Sequence, residues 1–209
     1  RYPMKQLFLC SYFAGVKELF RQYASEKQLG KQILFIPTAG NVEEYRGYID
    51  EALQTFADLG FQVEILDISA CDRETAQAKI FQSKLLYISG GNTFYLLQEL
   101  KKKQLLSLIK EQIADGMVYV GESAGAIITA KDIDYNKLMD DKSVAAELND
   151  TGALNEVDFY VLPHVGEEPF VESTQATLDT YSDQLNLLSL NNCQAVLVEG
   201  EEVKVLEDK

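Results

Sequence analysis

Short apolar runs alternate along this chain with longer segments of helical period, an order that predicts a parallel sheet covered by helices. The strand-like runs lie at residues 7–10, 33–36, 63–66, 85–89, 118–120 and 159–162. Most are uninterrupted, as expected for strands with helices packed on both faces. Helix-compatible spacing occupies 16–29, 43–59, 73–81, 94–100 and 104–115. The stretch 124–128 is small and apolar enough to form a buried helix close against the sheet, while 131–156 is polar and irregular and reads as loops. A further helix over 171–185 precedes short strands at 187–190, 195–198 and 203–206. Glu199-Gly200-Glu201-Glu202 reads as a hairpin turn between the last two, with Gly200 supplying a positive φ and the charges remaining in water. The expected fold is α/β with a doubly wound, mostly parallel sheet, and residues 1–209 are expected to form one domain.

Composition narrows the partners. With 33 acidic and 19 basic residues, the net charge of −14 repels phosphate backbones and anionic lipid surfaces, so neither nucleic acid nor membrane is expected. No run approaches the roughly 20 apolar residues of a bilayer span. The first residues lack a signal-peptide core, and Met4 reads as a natural start preceded by added residues. Cys10, Cys71 and Cys193 are odd in number and widely spaced, which suggests no disulfide framework or zinc site and fits a cytoplasmic protein. A single histidine argues against multi-histidine metal centres, and no cofactor is expected.

Two segments carry chemistry. Val118-Tyr119-Val120 leads into Gly121-Glu122-Ser123-Ala124-Gly125, a serine between a predicted strand and a predicted helix with glycine on both sides. Such a turn crowds its own backbone, needs small flanking residues and exposes the hydroxyl above the sheet edge at a helix N-terminus. The same five residues also fit a serine that merely caps a helix after a glycine turn. The second segment, Leu85 to Phe94, ends a strand in Ser89-Gly90-Gly91-Asn92-Thr93 and opens a helix. There the Gly91 N–H, with that of Ala124, could form an oxyanion hole, although a tight turn capped by Asn92 or Thr93 fits the residues too. Both turns belong at the carboxyl ends of parallel strands, where open α/β sheets bind ligands.

A serine nucleophile needs a base, and His164 is the only histidine. It follows the apolar run ending at Leu162 and Pro163, which puts it at a strand end. A carboxylate should orient it, and Asp132, Asp134, Asp140, Asp141 and Asp158 are all candidates that position alone does not separate.

Jointly, Ile36-Pro37-Thr38-Ala39, Gly90-Gly91-Asn92-Thr93-Phe94, Gly121 to Ala126 and Pro163-His164, in this order, resemble peptidase family S51. This is the peptidase E or aspartyl dipeptidase group, related to cyanophycinases. The resemblance runs from the first strand almost to the C-terminus. It implies a flavodoxin-like sandwich related to class I glutamine amidotransferases, with neither metal nor cofactor. It also implies Ser123 as nucleophile, His164 as base, and Gly91 and Ala124 as oxyanion donors. The family's acidic residue between serine and histidine aligns with Asp141, or with Asp140 after a one-residue shift. A glutamate also proposed as the histidine's partner in the family aligns with Asn192, which carries no charge. The arginine that aspartyl dipeptidases use to hold an N-terminal aspartate has no counterpart in Glu172-Ser173-Thr174-Gln175.

The leading expectation is therefore a serine peptidase acting on short peptides through an acyl-enzyme, as a monomer or small homo-oligomer. Two other readings stay open. One is an esterase of the α/β-hydrolase kind, which shares the Ser, Asp, His chain order. The other is a non-catalytic domain that binds a peptide or small molecule and retains the turn.

Overall fold

The structure is a computed structural model that describes residues 4–209, so the expectation for the residues ahead of Met4 lies outside the described residues. The central sheet has seven strands in the order β3-β2-β4-β5-β1-β8-β9. Strands β1 (Gln6–Cys10), β2 (Gln32–Ile36), β3 (Gln62–Ile65), β4 (Leu85–Ile88) and β5 (Val118–Glu122) pair in parallel. Strands β8 (Gln194–Glu199) and β9 (Glu202–Glu207) extend the sheet antiparallel beyond β1.

Alternation along each central strand sorts side chains between two cores, because successive residues point to opposite faces. Phe8, Phe35, Tyr87 and Val120 join one cluster with Phe20 of α1 (Lys17–Glu26) and Ala52 and Phe56 of α2 (Gly47–Asp58). Leu7, Leu9, Ile36, Ile88 and Tyr119 join the other. That cluster takes in Ile80 of α3 (Arg73–Gln82), Leu97 of α4 (Thr93–Lys102), Ile109 of α5 (Leu106–Ala114) and Ala126 of α6 (Ala124–Ile127). The first core is aromatic, with Phe13 stacked on Phe56 at a ring separation of 4.5 Å. Helices cover both faces of a mostly parallel sheet, a flavodoxin-like sandwich.

Three local expectations change. Residues 159–162 do form a strand, β6 (Tyr160–Leu162), but it pairs only with β7 (Leu187–Ser189) in a separate two-stranded sheet. The place beside β1 is taken by β8, and Val161 is buried instead in the core cluster that contains Ala126 and Ile127. Second, β3 is an edge strand, so its run is not buried on both faces and Ile65 is exposed. Third, residues Thr38–Val42 form a 3-10 turn and α2 starts only at Gly47, because Glu43 is extended between them. Helix α7 (Val171–Tyr181) follows β6. Among the described residues no helix is long and apolar enough to cross a membrane.

This topology gathers the carboxyl ends of β1, β2, β4 and β5 at one edge of the sheet. Ser11, the 38–42 turn, Gly90-Gly91 and Ser123 all leave from that edge.

Candidate active site

Ser123 stands between β5 and α6 with φ 52° and ψ −107°, a left-handed conformation that a residue with a side chain adopts only when its surroundings enforce it. The enforcement is main-chain packing. A Cβ on Gly121 would lie 2.4 Å from the Gly125 carbonyl oxygen, and one on Gly125 would lie 2.2 Å from the Ile88 carbonyl oxygen. Only glycine lets α6 approach β4 and β5 this closely. The Ser123 N–H donates to the Cys10 carbonyl at 2.8 Å, which ties the turn to β1 as well.

The base arrives from the other side. Ser123 Oγ and His164 Nε2 are 3.1 Å apart, and His164 Nδ1 lies 2.9 Å from Asn192 Oδ1. With the amide oxygen facing the ring, Nδ1 carries the proton and Nε2 is left free to accept the serine proton. His164 is itself left-handed, at φ 63°. Its N–H donates to Ser11 Oγ at 3.1 Å, and that hydroxyl donates to the Leu190 carbonyl at 3.1 Å. The Phe170 ring lies nearly parallel to the imidazole, with centroids 4.5 Å apart. Burial pulls the His164 pKa below the ordinary imidazole value, opposed by the Asn192 hydrogen bond and the charge of Glu167. Burial thus favours the neutral ring, the form a general base needs.

Gly91 has φ 135°, and a Cβ there would lie 2.1 Å from the Ala39 carbonyl carbon, so the chain passes where no side chain fits. A Cβ on the neighbouring Gly90 would contact both Ser123 Cβ, at 3.3 Å, and the Tyr48 ring, at 3.7 Å. The glycine turn therefore borders the serine directly. Among the described residues, neither the Gly91 N–H nor the Ala124 N–H donates to a protein acceptor.

The candidate carboxylates lie elsewhere. Asp140 Oδ2 accepts from the Thr93 N–H, the Thr93 hydroxyl and Asn136 Nδ2 at 2.8, 2.7 and 2.8 Å, bracing the first turn of α4. Asp141 is exposed and accepts from Ser143 N–H and Oγ at 2.9 and 2.7 Å. Asp132 accepts from Asp134 N–H and Thr151 Oγ1, both at 2.8 Å, Asp134 pairs with Lys137, and Asp158 is exposed. The expected contact of Asp141 or Asp140 with the imidazole is thus absent, since the Asp140 carboxylate is engaged at the α4 entrance and that of Asp141 by Ser143, and the ring's second nitrogen meets Asn192. No group of three or more His, Cys, Asp or Glu among the described residues is placed to hold a metal ion.

Comparison with known proteins identifies the family. The profile of Peptidase family S51 matches residues 9–206. The chain belongs to peptidase family S51. An uncharacterized peptidase of Pasteurella multocida is 47% identical over 198 residues, covering 95% of each chain. Another from Listeria monocytogenes is 42% identical over 200 residues, covering 96% of this chain and 97% of its own. A crystal structure from Listeria monocytogenes, described as a peptidase E candidate, superposes with a TM-score of 0.93 at 40% identity, over 99% of this chain and 100% of that one.

Within this S51 chain, sequence reasoning passes over several residues that shape the site. Glu122, read only as a motif position, is buried at 2% exposure. It accepts from the Phe13 N–H at 2.8 Å and from the Tyr87 hydroxyl, and burial pushes its pKa up to about 7. It fastens β4 and the exit from β1 to the residue preceding Ser123. Ser11, Glu167 and Phe170 carry no motif at all. Arg21 and Arg73 pair with Glu18 and Glu74, whereas among the described residues Arg46 reaches only Asn41 Oδ1, at 3.5 Å, near Tyr48.

Proposed function

We propose that this protein is a serine peptidase that hydrolyses short peptides through an acyl-enzyme on Ser123. The observation that carries the reading is the line Ser123 Oγ, His164, Asn192 Oδ1, with separations of 3.1 and 2.9 Å. His164 takes the Ser123 proton as the hydroxyl adds to the peptide carbonyl, and the oxyanion forms against the Gly91 and Ala124 N–H groups at the entrance to α6. The imidazolium then gives that proton to the departing amine. Water enters, loses a proton to His164 and releases the acid. Asn192 fixes the tautomer and ring orientation that a carboxylate holds in other serine hydrolases, and Asp140 holds Thr93, which follows the glycine turn. The backbone of Ser123 supports the reading, because a side-chain-bearing residue keeps φ 52° with ψ −107° only where its surroundings over-determine it.

A dipeptide and tripeptide library, run beside a panel of simple esters, tests this. The wild-type protein cleaves a subset of the peptides, and Ser123→Ala lowers turnover by at least about 10⁴-fold with unchanged circular dichroism. Full activity in Ser123→Ala would remove the mechanism. Turnover of esters alone would favour an esterase, and ligand-induced thermal stabilisation with no turnover would favour a binding domain.

A further inference from the structure

Asn192 orients His164 but is neutral, so it offers no charge to the imidazolium that forms when Ser123 gives up its proton. One carboxylate is built into this part of the site. Glu167 Oε2 accepts the Asn192 backbone N–H at 2.9 Å. The Glu167 N–H donates to the His164 carbonyl at 3.1 Å, and its carbonyl accepts the Phe170 N–H at 2.8 Å. Phe170 in turn stacks on the imidazole. Glu167 thus contacts every residue that frames the ring on this side without hydrogen-bonding the ring or the serine. Among the described residues no lysine or arginine pairs with it, so its charge is not neutralised locally.

We infer that Glu167 is a positioning residue that divides with Asn192 the work one carboxylate does in other serine hydrolases, with Asn192 Oδ1 accepting the hydrogen bond from His164 and Glu167 supplying the negative charge. The inference rests on the Ser123–His164 reading of the site. In the reaction the proton moves from Ser123 Oγ to His164 Nε2 and onward to the leaving amine, while Glu167 stays ionised and takes no proton. Its field acts across the Asn192 amide and favours the charged imidazole, in opposition to burial. The groups facing the ring are Ser123 from the β5–α6 turn, Ser11 below its backbone, Phe170 before α7 and Asn192 before β8, all neutral. A loop brace alone explains the Asn192 N–H bond but assigns no use to the charge.

Because His164 is the chain's only histidine, its imidazole proton resonances titrate without assignment. Glu167→Gln keeps an oxygen for the Asn192 N–H and removes only the charge. It lowers the His164 pKa by about half a unit or more, shifts the acid limb of kcat/KM the same way, and cuts kcat about tenfold with little change in KM. Glu167→Asp keeps the charge and retains most of the wild-type titration. Adding Asn192→Asp to Glu167→Gln, which places a charge directly on the ring, raises the pKa again and recovers part of kcat. A Glu167→Gln protein that titrates and turns over as wild type would overturn the inference and leave Glu167 as a brace. A wild-type protein inert toward peptides would instead defeat the hydrolase reading. Even then, the resonance titration still reads the effect of Glu167 on His164. If Glu167→Gln fails to fold, the comparison of Glu167→Asp with Glu167→Asn answers the same question, and equal titration in those two variants counts against the inference.

Discussion

Ser123 stands at the end of a central strand buried throughout, whereas His164 leaves a three-residue strand that pairs outside the main sheet. The first position is set by main-chain contact, through glycines too close to β4 and α6 to carry a side chain. The second is set by hydrogen bonds that His164 donates to the side chains of Ser11 and Asn192, which lie 153 and 28 residues away along the chain. Close packing is nearly all-or-none, because a main-chain clash has nowhere to relax. A hydrogen-bonded arm yields by degrees, since each bond contributes about 1 kcal/mol net and its loss reorients the ring without unfolding the protein. The two halves of the site should therefore fail differently.

The largest effect is expected at the elbow. Gly125→Ala places a Cβ deep inside van der Waals contact with the Ile88 carbonyl, so it should cost at least about 3 kcal/mol in urea denaturation and sharply lower soluble yield. Wild-type stability in that variant would show that the turn tolerates displacement. On the histidine side, Asn192→Ala should lower kcat about 100-fold while moving the urea midpoint little, because the ring loses its tautomer and orientation but no core is disturbed. Ser11→Ala removes the hydroxyl that joins the His164 N–H to the Leu190 carbonyl. A loss of about tenfold in kcat with about 1 kcal/mol of stability is expected there. If Asn192→Ala and Ser11→Ala instead destabilised the fold as much as Gly125→Ala, the contrast between the two halves would collapse.

An effect visible only as a dependence on pH lies beneath the elbow, at Glu122. Its folded pKa is pushed up to about 7, above the ordinary carboxyl value, so the folded state holds a proton that the unfolded chain has already released. Stability from this group is full below the ordinary carboxyl range and is lost as pH rises through about 7. Wild type should therefore lose about 2 kcal/mol more than Glu122→Gln between pH 5 and pH 8, read from denaturation curves at each pH. Parallel curves for the two proteins would mean that the Phe13 N–H and Tyr87 hydroxyl fully support the ionised carboxylate.

The same contrast explains what is legible in the sequence. The elbow is local: a strand, two glycines and a short apolar helix lie within a few residues, and the chain order alone predicts how they meet. Strands β1, β2, β4 and β5 are legible for the same reason, since uninterrupted apolar runs report burial on two faces, whereas the edge strand β3 is exposed and carries Glu64. Strand β6 has such a run too, but a pattern of burial does not say which sheet does the burying, so its separate pairing with β7 is invisible there. The histidine's partner is hidden by its chemistry as much as by distance. Asn192 has no charge, and the search for a carboxylate leads instead to the abundant acidic residues between Ser123 and His164. Ser11, Glu167 and Phe170 act only through contacts that the folded chain creates, and nothing in their local sequence marks them.

The central claim is that Ser123 is a nucleophile activated by His164, and a fluorophosphonate probe followed by intact-protein and peptide mass spectrometry tests it most directly. The account predicts a single adduct on Ser123 in the wild-type protein, formed far more slowly in His164→Ala and not at all in Ser123→Ala. An unreactive wild-type protein, an adduct on another residue, or labelling at an unchanged rate in His164→Ala would contradict it.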